Sequence, residues 1–427
     1  MISELEAADA ESLLLHLAGP AQRIELGLAR VRAAMTCLDI PAELPFPVIT
    51  VAGTNGKGSV VAYLEALFQQ AGHHSAAYTS PHIWAFAERL RFDGNPFSDT
   101  AWMEKLRLLG PVAEEIPLTY FEASTLAALM LCLEAQPDIA ILEVGLGGRL
   151  DAVNAVDSTI AIISSIDLDH QALLGPDREH IGAEKAGIIR RQRPVFYGDR
   201  AAPCQSVLAA AEQLEAPLFL LGRDFDLEPD GNWRGNGNAF PAPVPVISSA
   251  AQRNNLALAL AALHCLRERF PLAWPAPTQW TFLPWLPGRG QRLRPWGVQG
   301  PELIVDVAHN PQATRALAAR VAHEDGRVVA CWGMMADKDL AASVGPLRER
   351  ISAWWLLAMP DNPRAASPAT LRNFLPADQV SGEIAIHDLP MQLDRLAAEL
   401  GSDDLLLCFG SFHVLAALPP SWFRDIA

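Results

Sequence analysis

Val51-Ala52-Gly53-Thr54-Asn55-Gly56-Lys57-Gly58-Ser59 follows an apolar run, Phe46–Ala52, and opens a segment with helical patterning, Gly58–Ala71. Glycines in such a turn let consecutive backbone N–H groups curl around a phosphate, and the helix start adds partial positive charge. Lys57 would reach the β- and γ-phosphates of a nucleotide, and the Ser59 hydroxyl could help hold Mg²⁺. The spacing departs from the common GxxxxGK[ST] form. Val51 stands where the first glycine would be, and Gly58 separates Lys57 from Ser59. A tight glycine turn without a ligand is the plainer alternative; the strand–loop–helix setting favours a phosphate.

Outward from this loop, short apolar runs alternate with amphipathic stretches, as in a β-α repeat with a mostly parallel sheet. Candidate strands are Phe46–Ala52, Ile139–Val144, Thr159–Ile166 and Val195–Tyr197, with Ser124–Ala135 as a buried helix between them. Pro271 to Gly300, rich in Pro, Gly and Trp, interrupts the rhythm. It restarts with strands Leu303–Val307, Val328–Trp332, Trp354–Ala358, Glu383–His387 and Leu405–Phe409 and a helix over Gln312–His323. The expected fold is α/β: a P-loop domain with a mostly parallel sheet (residues 1–288), a hinge (289–300), and a smaller Rossmann-like α/β domain (301–427). Asp224–Pro245 reads as an excursion of short strands or loops within the first domain.

Composition narrows the function. Of 427 residues, 50% are hydrophobic and 19% charged, a globular profile. With 33 Lys and Arg against 49 Asp and Glu the net charge is −16. That balance argues against a polybasic mode of binding nucleic acid or anionic membrane, not against small phosphates. The six cysteines contain no C-x-x-C pair, which fits scattered core thiols in a reducing cytosol. The first residues lack a basic segment before an apolar run, and apolar runs break well before 18 residues. A soluble cytoplasmic protein is expected.

Carboxylates and imidazoles stand where a nucleotide-bound metal would need them. Glu143 ends the apolar run Ala140–Leu142, and Asp167, Asp169 and His170 follow the next strand; strand carboxyl ends form the ligand-binding edge of such sheets. Singly, Glu143 could be a solvated strand-end charge and His170 a packed histidine. Lys185, in Glu184-Lys185-Ala186-Gly187-Ile188 after the helical Arg178–Ala183, reads by itself as a helix-surface lysine. Arg289, in Leu286-Pro287-Gly288-Arg289, and Asp306, in Val305-Asp306-Val307-Ala308-His309-Asn310-Pro311, would face a cleft between domains. There an Arg can neutralise phosphate and an Asp can accept from ribose or adenine.

These segments occur in order with Tyr78-Thr79-Ser80-Pro81-His82, Leu118-Thr119-Tyr120-Phe121-Glu122, EVGLGGRLDAVN (143–154), LDHQALLGPDREHIGAEKAGI (168–188), GMMADKD (333–339) and Phe409-Gly410-Ser411-Phe412-His413. The set resembles the bacterial bifunctional dihydrofolate synthase/folylpolyglutamate synthases, among the Mur-ligase-like ATP-dependent amide ligases. The resemblance runs from about residue 20 to 415.

It implies ATP in the loop Thr54, Asn55, Gly56, Lys57, Gly58 and Ser59, joined by Arg289, Asp306 and a helix-start asparagine, Asn255 or its neighbour Asn254. It implies Mg²⁺ held by Ser80, Glu143 and His170, with room for a second Mg²⁺, and carbamylation of Lys185, which would turn a cation into an oxygen ligand. Lys57, His170 and Lys185 become the catalytic set. The dihydropteroate patches would be Ile24-Glu25-Leu26, Thr119-Tyr120-Phe121-Glu122 and Leu150-Asp151-Ala152. Phe121 can stack on a flat heterocycle and Asp151 can accept from its N–H groups, although plain core packing would also explain Phe121. His309, Asp337, Lys338, Ser411 and His413 are candidates for the L-glutamate pocket.

The implied reaction joins L-glutamate to 7,8-dihydropteroate and to tetrahydrofolates through an acyl phosphate, in a monomer without nucleic-acid or membrane partners. Two departures from the family pattern are Gly290, where relatives often carry a large residue and which would loosen the hinge, and Asp167, where a small apolar residue is common. Alternatives are a cell-wall Mur ligase, for whose extra N-terminal domain the position of the loop leaves no room, and a GTPase-like switch, whose NKxD is not matched by Ala336-Asp337-Lys338-Asp339. A catalytically silent nucleotide binder would have lost Lys57, Glu143, His170 or Lys185, all present. A synthase acting on folates alone would lack Gln22–Leu28, which is present.

Overall fold

The structure, a computed structural model, describes residues 8–20, 23–200, 202–242, 249–270, 284 and 286–423. Gln22, residues 243–245 of the expected excursion, and 271–283 and 285 of the Pro/Gly/Trp-rich stretch lie outside these. The chain divides into two compact units, residues 1–167 with 171–284, and residues 168–170 with 285–427.

In the first unit the strands are β1 (Val48–Ala52), β2 (Ser75–Tyr78), β3 (Leu90–Phe92), β4 (Asn95–Pro96), β5 (Ile139–Glu143), β6 (Ile160–Ile163), β7 (Val195–Tyr197) and β8 (Leu218–Leu220). They form one sheet in the order β4-β3-β2-β5-β1-β6-β7-β8. From β2 to β8 neighbours run parallel, and the hairpin β3–β4 adds an antiparallel edge. β1, β5 and β6 are buried at every position. Helices cover both faces of such a sheet, which is why these strands read as unbroken apolar runs without alternation. The chain crosses β1 in passing from β5 to β6, so the carboxyl ends of these three strands meet at a topological switch point, where ligands bind in open α/β sheets.

The excursion after β8 is a separate antiparallel sheet of β9 (Phe225–Leu227), β10 (Asn232–Gly235) and β11 (Asn238–Pro241), in the order β11-β10-β9. Trp233 of β10 is buried against the helix Ala250–Cys265, donating its indole N–H to Ala257 O at 3.3 Å. That helix is buried from Asn255 to His264 and packs along the phosphate-loop helix Lys57–Gln70.

The second unit is a sheet of β12 (Arg289–Leu293), β13 (Glu302–Asp306), β14 (Val328–Trp332), β15 (Ala353–Ala358), β16 (Val380–Ala385) and β17 (Leu405–Phe409), ordered β12-β13-β17-β14-β15-β16. All neighbours are parallel except β12, which runs antiparallel to β13. Its core centres on Trp332, Trp354 and Phe409, with centroids 5.9 to 6.3 Å apart.

The stretch 289–300, expected as a hinge, therefore begins with a strand: Arg289–Leu293 contains no proline and its backbone pairs with β13. The β12–β13 register shifts between Arg289 and Gln291, Gly290 takes φ +65°, and a Cβ there would fall 2.4 Å from an Arg320 guanidinium nitrogen. The space a larger residue would need is filled by Arg320.

Candidate active site

The loop after β1 is held from two sides. Thr54 N–H donates to Ser165 O at 2.6 Å, and Thr54 Oγ1 donates to Asp167 O at 3.0 Å. Ser164 Oγ and Ser165 Oγ both donate to Asn55 O, at 2.7 and 3.1 Å. The turn after β6 thus grips the phosphate loop. Asp167 takes part through its backbone, so this contact does not depend on its side chain. Gly56, at φ +88°, begins the helix, and a Cβ on it would lie 2.4 Å from Asn255 Oδ1. Lys57 Nζ donates to Gly53 O at 3.1 Å, over the loop it belongs to.

Asn255 is the sixth residue of its helix, not the helix start, because the cap is Ser249. It is nonetheless the asparagine that meets the phosphate loop. Asn254 instead accepts from Arg200 Nε at 3.1 Å.

Glu143, 5% exposed, is the last residue of β5 and the Cα partner of Val51. Ser80 N–H donates to Glu143 Oε2 at 3.2 Å. Two residues assigned to a metal by resemblance are therefore neighbours beside the phosphate loop. Their hard donors suit Mg²⁺. His170 belongs to the second unit and has φ +50°, a conformation that costs a non-glycine residue energy and that clusters at functional sites. Among the described residues no three His, Cys, Asp or Glu side chains gather as a metal-binding group.

Lys185 is 3% exposed. The helix runs Arg178–Ala186, longer than expected, and Lys185 faces inward from its last turn, so the surface reading fails. The glycine loop after Glu143 packs against this turn. Arg149 N–H donates to Glu184 O at 2.7 Å, Arg149 pairs with Glu184 at 2.7 Å, and a Cβ on Gly148 would lie 3.0 Å from Lys185 Cα. Asn154 Nδ2 closes the junction by donating to both Arg149 O and Gly187 O.

The three patches expected for dihydropteroate are joined. Gly27 N–H donates to Leu150 O at 3.2 Å, and Arg30 donates to Glu25 O and Glu122 Oε1, both at 3.0 Å. Phe121 is partly buried against Gly145 of the glycine loop, while Ile24 is 44% exposed and Leu26 packs on the core.

Other members of these patches already serve the fold. Thr119 and Glu122 form a capping box, Thr119 N–H donating to Glu122 Oε2 at 2.7 Å and Glu122 N–H to Thr119 Oγ1 at 3.3 Å. Tyr120 is buried and donates its hydroxyl to Glu11 at 2.8 Å. Asp151 accepts from Leu146 N–H at 2.9 Å and Val153 N–H at 3.0 Å, next to buried Ala152. Burial pushes the Asp151 carboxyl up to about 7 despite those donors.

In the second unit Arg289 and Asp306 are Cα partners, and the Arg289 guanidinium lies 5.1 Å from the Phe412 ring centroid. Burial pushes the Asp306 carboxyl up to about 6, with the Arg289 charge opposing it.

The glutamate candidates fall into two groups. Lys338 Nζ donates to Asp169 Oδ1 at 2.5 Å, with His309 Nε2 3.5 Å from Asp169 Oδ2 and His170 Nε2 3.3 Å from Lys338 Nζ. Burial acts to raise the Asp169 carboxyl, but the His309 hydrogen bond and the Lys338 ammonium outweigh it and hold it well below the usual range. Asp337 pairs with Arg364 at 2.9 Å, and His413 Nε2 lies 2.9 Å from Asn362 Nδ2. Buried Ser411 caps the helix Phe412–Ala416.

Arg30, Ser164, Ser165, Asn362 and Arg364 were not among the expected site residues. Only the serine pair had a sequence cue, its place at the end of an apolar strand.

Residues 51–198 match the family described as Mur ligase middle domain, and residues 288–412 match Mur ligase, glutamate ligase domain. The dihydrofolate synthase/folylpolyglutamate synthase of Escherichia coli (strain K12) is 36% identical over 399 residues, 92% of this chain and 90% of its own length. The structure of E. coli FolC in complex with DHPP and ADP aligns with a TM-score of 0.84 at 34% identity over 96% of both chains. A bifunctional folylpolyglutamate synthase/dihydrofolate synthase with Mn, AMPPNP and L-glutamate bound aligns with a TM-score of 0.84 at 37% identity, again over 96% of both chains. Both Mur ligase domains are matched and the relatives align nearly end to end: the chain belongs to the dihydrofolate synthase/folylpolyglutamate synthase family of Mur ligases.

Proposed function

We propose that this protein ligates L-glutamate to 7,8-dihydropteroate, giving dihydrofolate, and to tetrahydrofolate and its polyglutamates, with cleavage of ATP to ADP and phosphate. The observation that carries this reading is the single connection from Glu143 to Ala152. It starts as a strand-end carboxylate beside the phosphate-loop strand, passes Phe121 at Gly145, and ends at the Leu150 carbonyl bonded to Gly27. One connection thus joins a phosphate-transfer edge to a patch with an aromatic wall.

Lys57 and the N–H groups of Thr54–Ser59 bind and orient the triphosphate, with Asn255, Arg289 and Asp306 as further nucleotide contacts. A carboxylate oxygen of the acceptor attacks the γ-phosphorus, and the bond to the ADP oxygen breaks. The α-amine of glutamate then attacks the acyl carbon, expelling inorganic phosphate and losing a proton. Positioning and fixed charge supply most of the catalysis in such transfers. Ser80, Glu143, His170 and Lys185, the last as a carbamate, would hold Mg²⁺, which screens charge on the transferring phosphoryl group when bound; a second Mg²⁺ is part of this reading. His309, Asp337, Lys338, Ser411 and His413 are assigned to glutamate. Among the described residues no helix is long and apolar enough to cross a membrane; we place the protein in the cytoplasm as a monomer acting on small molecules.

Dihydropteroate labelled with oxygen-18 in its carboxylate tests the chemistry. An acyl phosphate sends one labelled oxygen into inorganic phosphate; unlabelled phosphate with labelled product would rule that intermediate out.

A further inference from the structure

The helix Ala250–Cys265 presents Gln252 and Asn255, three residues apart and so on one face, toward the phosphate-loop helix. Gln252 Nε2 donates to Ser59 Oγ at 3.2 Å, and Gln252 Oε1 accepts from Asn255 Nδ2 at 3.4 Å. Asn255 Oδ1 in turn occupies the space that a Cβ on Gly56 would take. A chain of contacts therefore runs from Gly56 through two amides to the hydroxyl of Ser59, spanning the first turn of the phosphate-loop helix from outside the loop. Ser59 is 1% exposed.

We infer that Gln252 is a positioning residue for the nucleotide site, fixing the rotamer of Ser59 and the amide of Asn255 together. A serine hydroxyl has one proton and two lone pairs. With one lone pair engaged by the Gln252 N–H, the other is left for the cation that would accompany the triphosphate. The same amide keeps the Asn255 Oδ1 turned to Gly56, since its Nδ2 is committed to Gln252. Gln252 thus acts through Ser59 and Asn255, without touching the nucleotide. The inference rests on the phosphate-loop reading but on neither acceptor.

The test is calorimetric binding of AMPPNP, with Mg²⁺ and with EDTA, to wild type, Gln252→Leu, Ser59→Ala and the double variant. Removing a neutral hydrogen bond of about 1 kcal/mol predicts a loss of about fivefold in Mg²⁺-dependent affinity for Gln252→Leu. In Mg²⁺ the double variant should lose less than the sum of the two single losses, because its Ser59 contact is already gone, and any loss in EDTA, which reports the Asn255 contact, should be the same for Gln252→Leu with and without Ser59→Ala. Gln252→Glu, which can still accept from Asn255 but cannot donate to Ser59, should match Gln252→Leu in Mg²⁺-dependent loss. Unchanged Mg²⁺ dependence in Gln252→Leu, or additive losses in the double variant, would overturn the inference. Wild type that shows this binding pattern yet ligates neither acceptor would support Gln252 while retiring the ligase reading.

Discussion

Phe121 and Gly145 are in such close contact that a Cβ on Gly145 would stand 2.6 Å from Phe121 Cζ. The glycine loop can pass beneath the ring only because position 145 has no side chain. In the acceptor site proposed above, the ring is the wall on which a flat heterocycle would stack. Gly145→Ala should push Phe121 out of place and raise KM for dihydropteroate about tenfold, or about 1.4 kcal/mol, leaving KM for ATP within about twofold. Steady-state kinetics against each substrate checks this; equal effects on both would detach Phe121 from the acceptor.

Arg30 ties the early segment to the helix Tyr120–Ala135 through Glu25 O and the buried Glu122 carboxylate. Arg30→Ala leaves that carboxylate without its guanidinium partner. A loss of about 1–3 kcal/mol in urea-measured stability is expected, with KM for dihydropteroate rising more than KM for ATP. Stability and KM both at wild-type values would show that the tie is dispensable.

Asp151 gives a pH dependence of definite sign. Its folded-state value of about 7 lies above the 3.8 of a free side chain, so the native state holds the extra proton between them. Its contribution to stability is full below about 3.8 and is lost as pH rises through about 7. Asp151→Asn lacks this contribution, so the stability gap between wild type and variant should be larger at pH 5 than at pH 8. Urea midpoints at the two pH values measure the gap; one that widens with pH would contradict the assignment.

Lys185 is buried against the glycine loop that follows Glu143. Lys185→Ala should lower glutamate-dependent ADP release by at least about a hundredfold, the usual scale for losing a preorganised charged group at a phosphoryl site. Added bicarbonate should not restore it, because alanine offers no amine to carbamylate. Full activity in the variant would reduce Lys185 to a packing role.

The strands that position the site were legible because they are buried on both faces: β1, β5, β14 and β17 stand out as nearly continuous apolar runs. β2 did not, since Ser75-Ala76-Ala77-Tyr78 is short and its residues small. β12 was hidden in a stretch whose Pro, Gly and Trp content signals a linker. At the site, the glycine loop pointed to Lys57, the strand end to Glu143 and the resemblance to Asn255 or Asn254, and the structure puts Asn255 and Glu143 beside the phosphate loop. Burial was harder to read. Lys185 looks like a surface lysine in sequence because the glycine loop that packs against its helix turn is distant in the chain. Thr119-x-x-Glu122 carries a capping-box pattern that was readable, yet the resemblance drew both residues toward the substrate. Arg30 and Gln252 make their contacts over long sequence separations, which no local pattern encodes.

ATP-dependent ligation of glutamate to both acceptors is the activity proposed. The most direct measurement is glutamate-dependent ADP release by the purified protein, with 7,8-dihydropteroate and tetrahydrofolate as parallel acceptors and each product confirmed by mass. Turnover of both is expected, with one glutamate added per ADP released. Turnover of tetrahydrofolate alone would make it a folylpolyglutamate synthase and return Ile24–Leu26 to a structural role; turnover of neither, in a protein that binds ATP, would contradict the ligase itself.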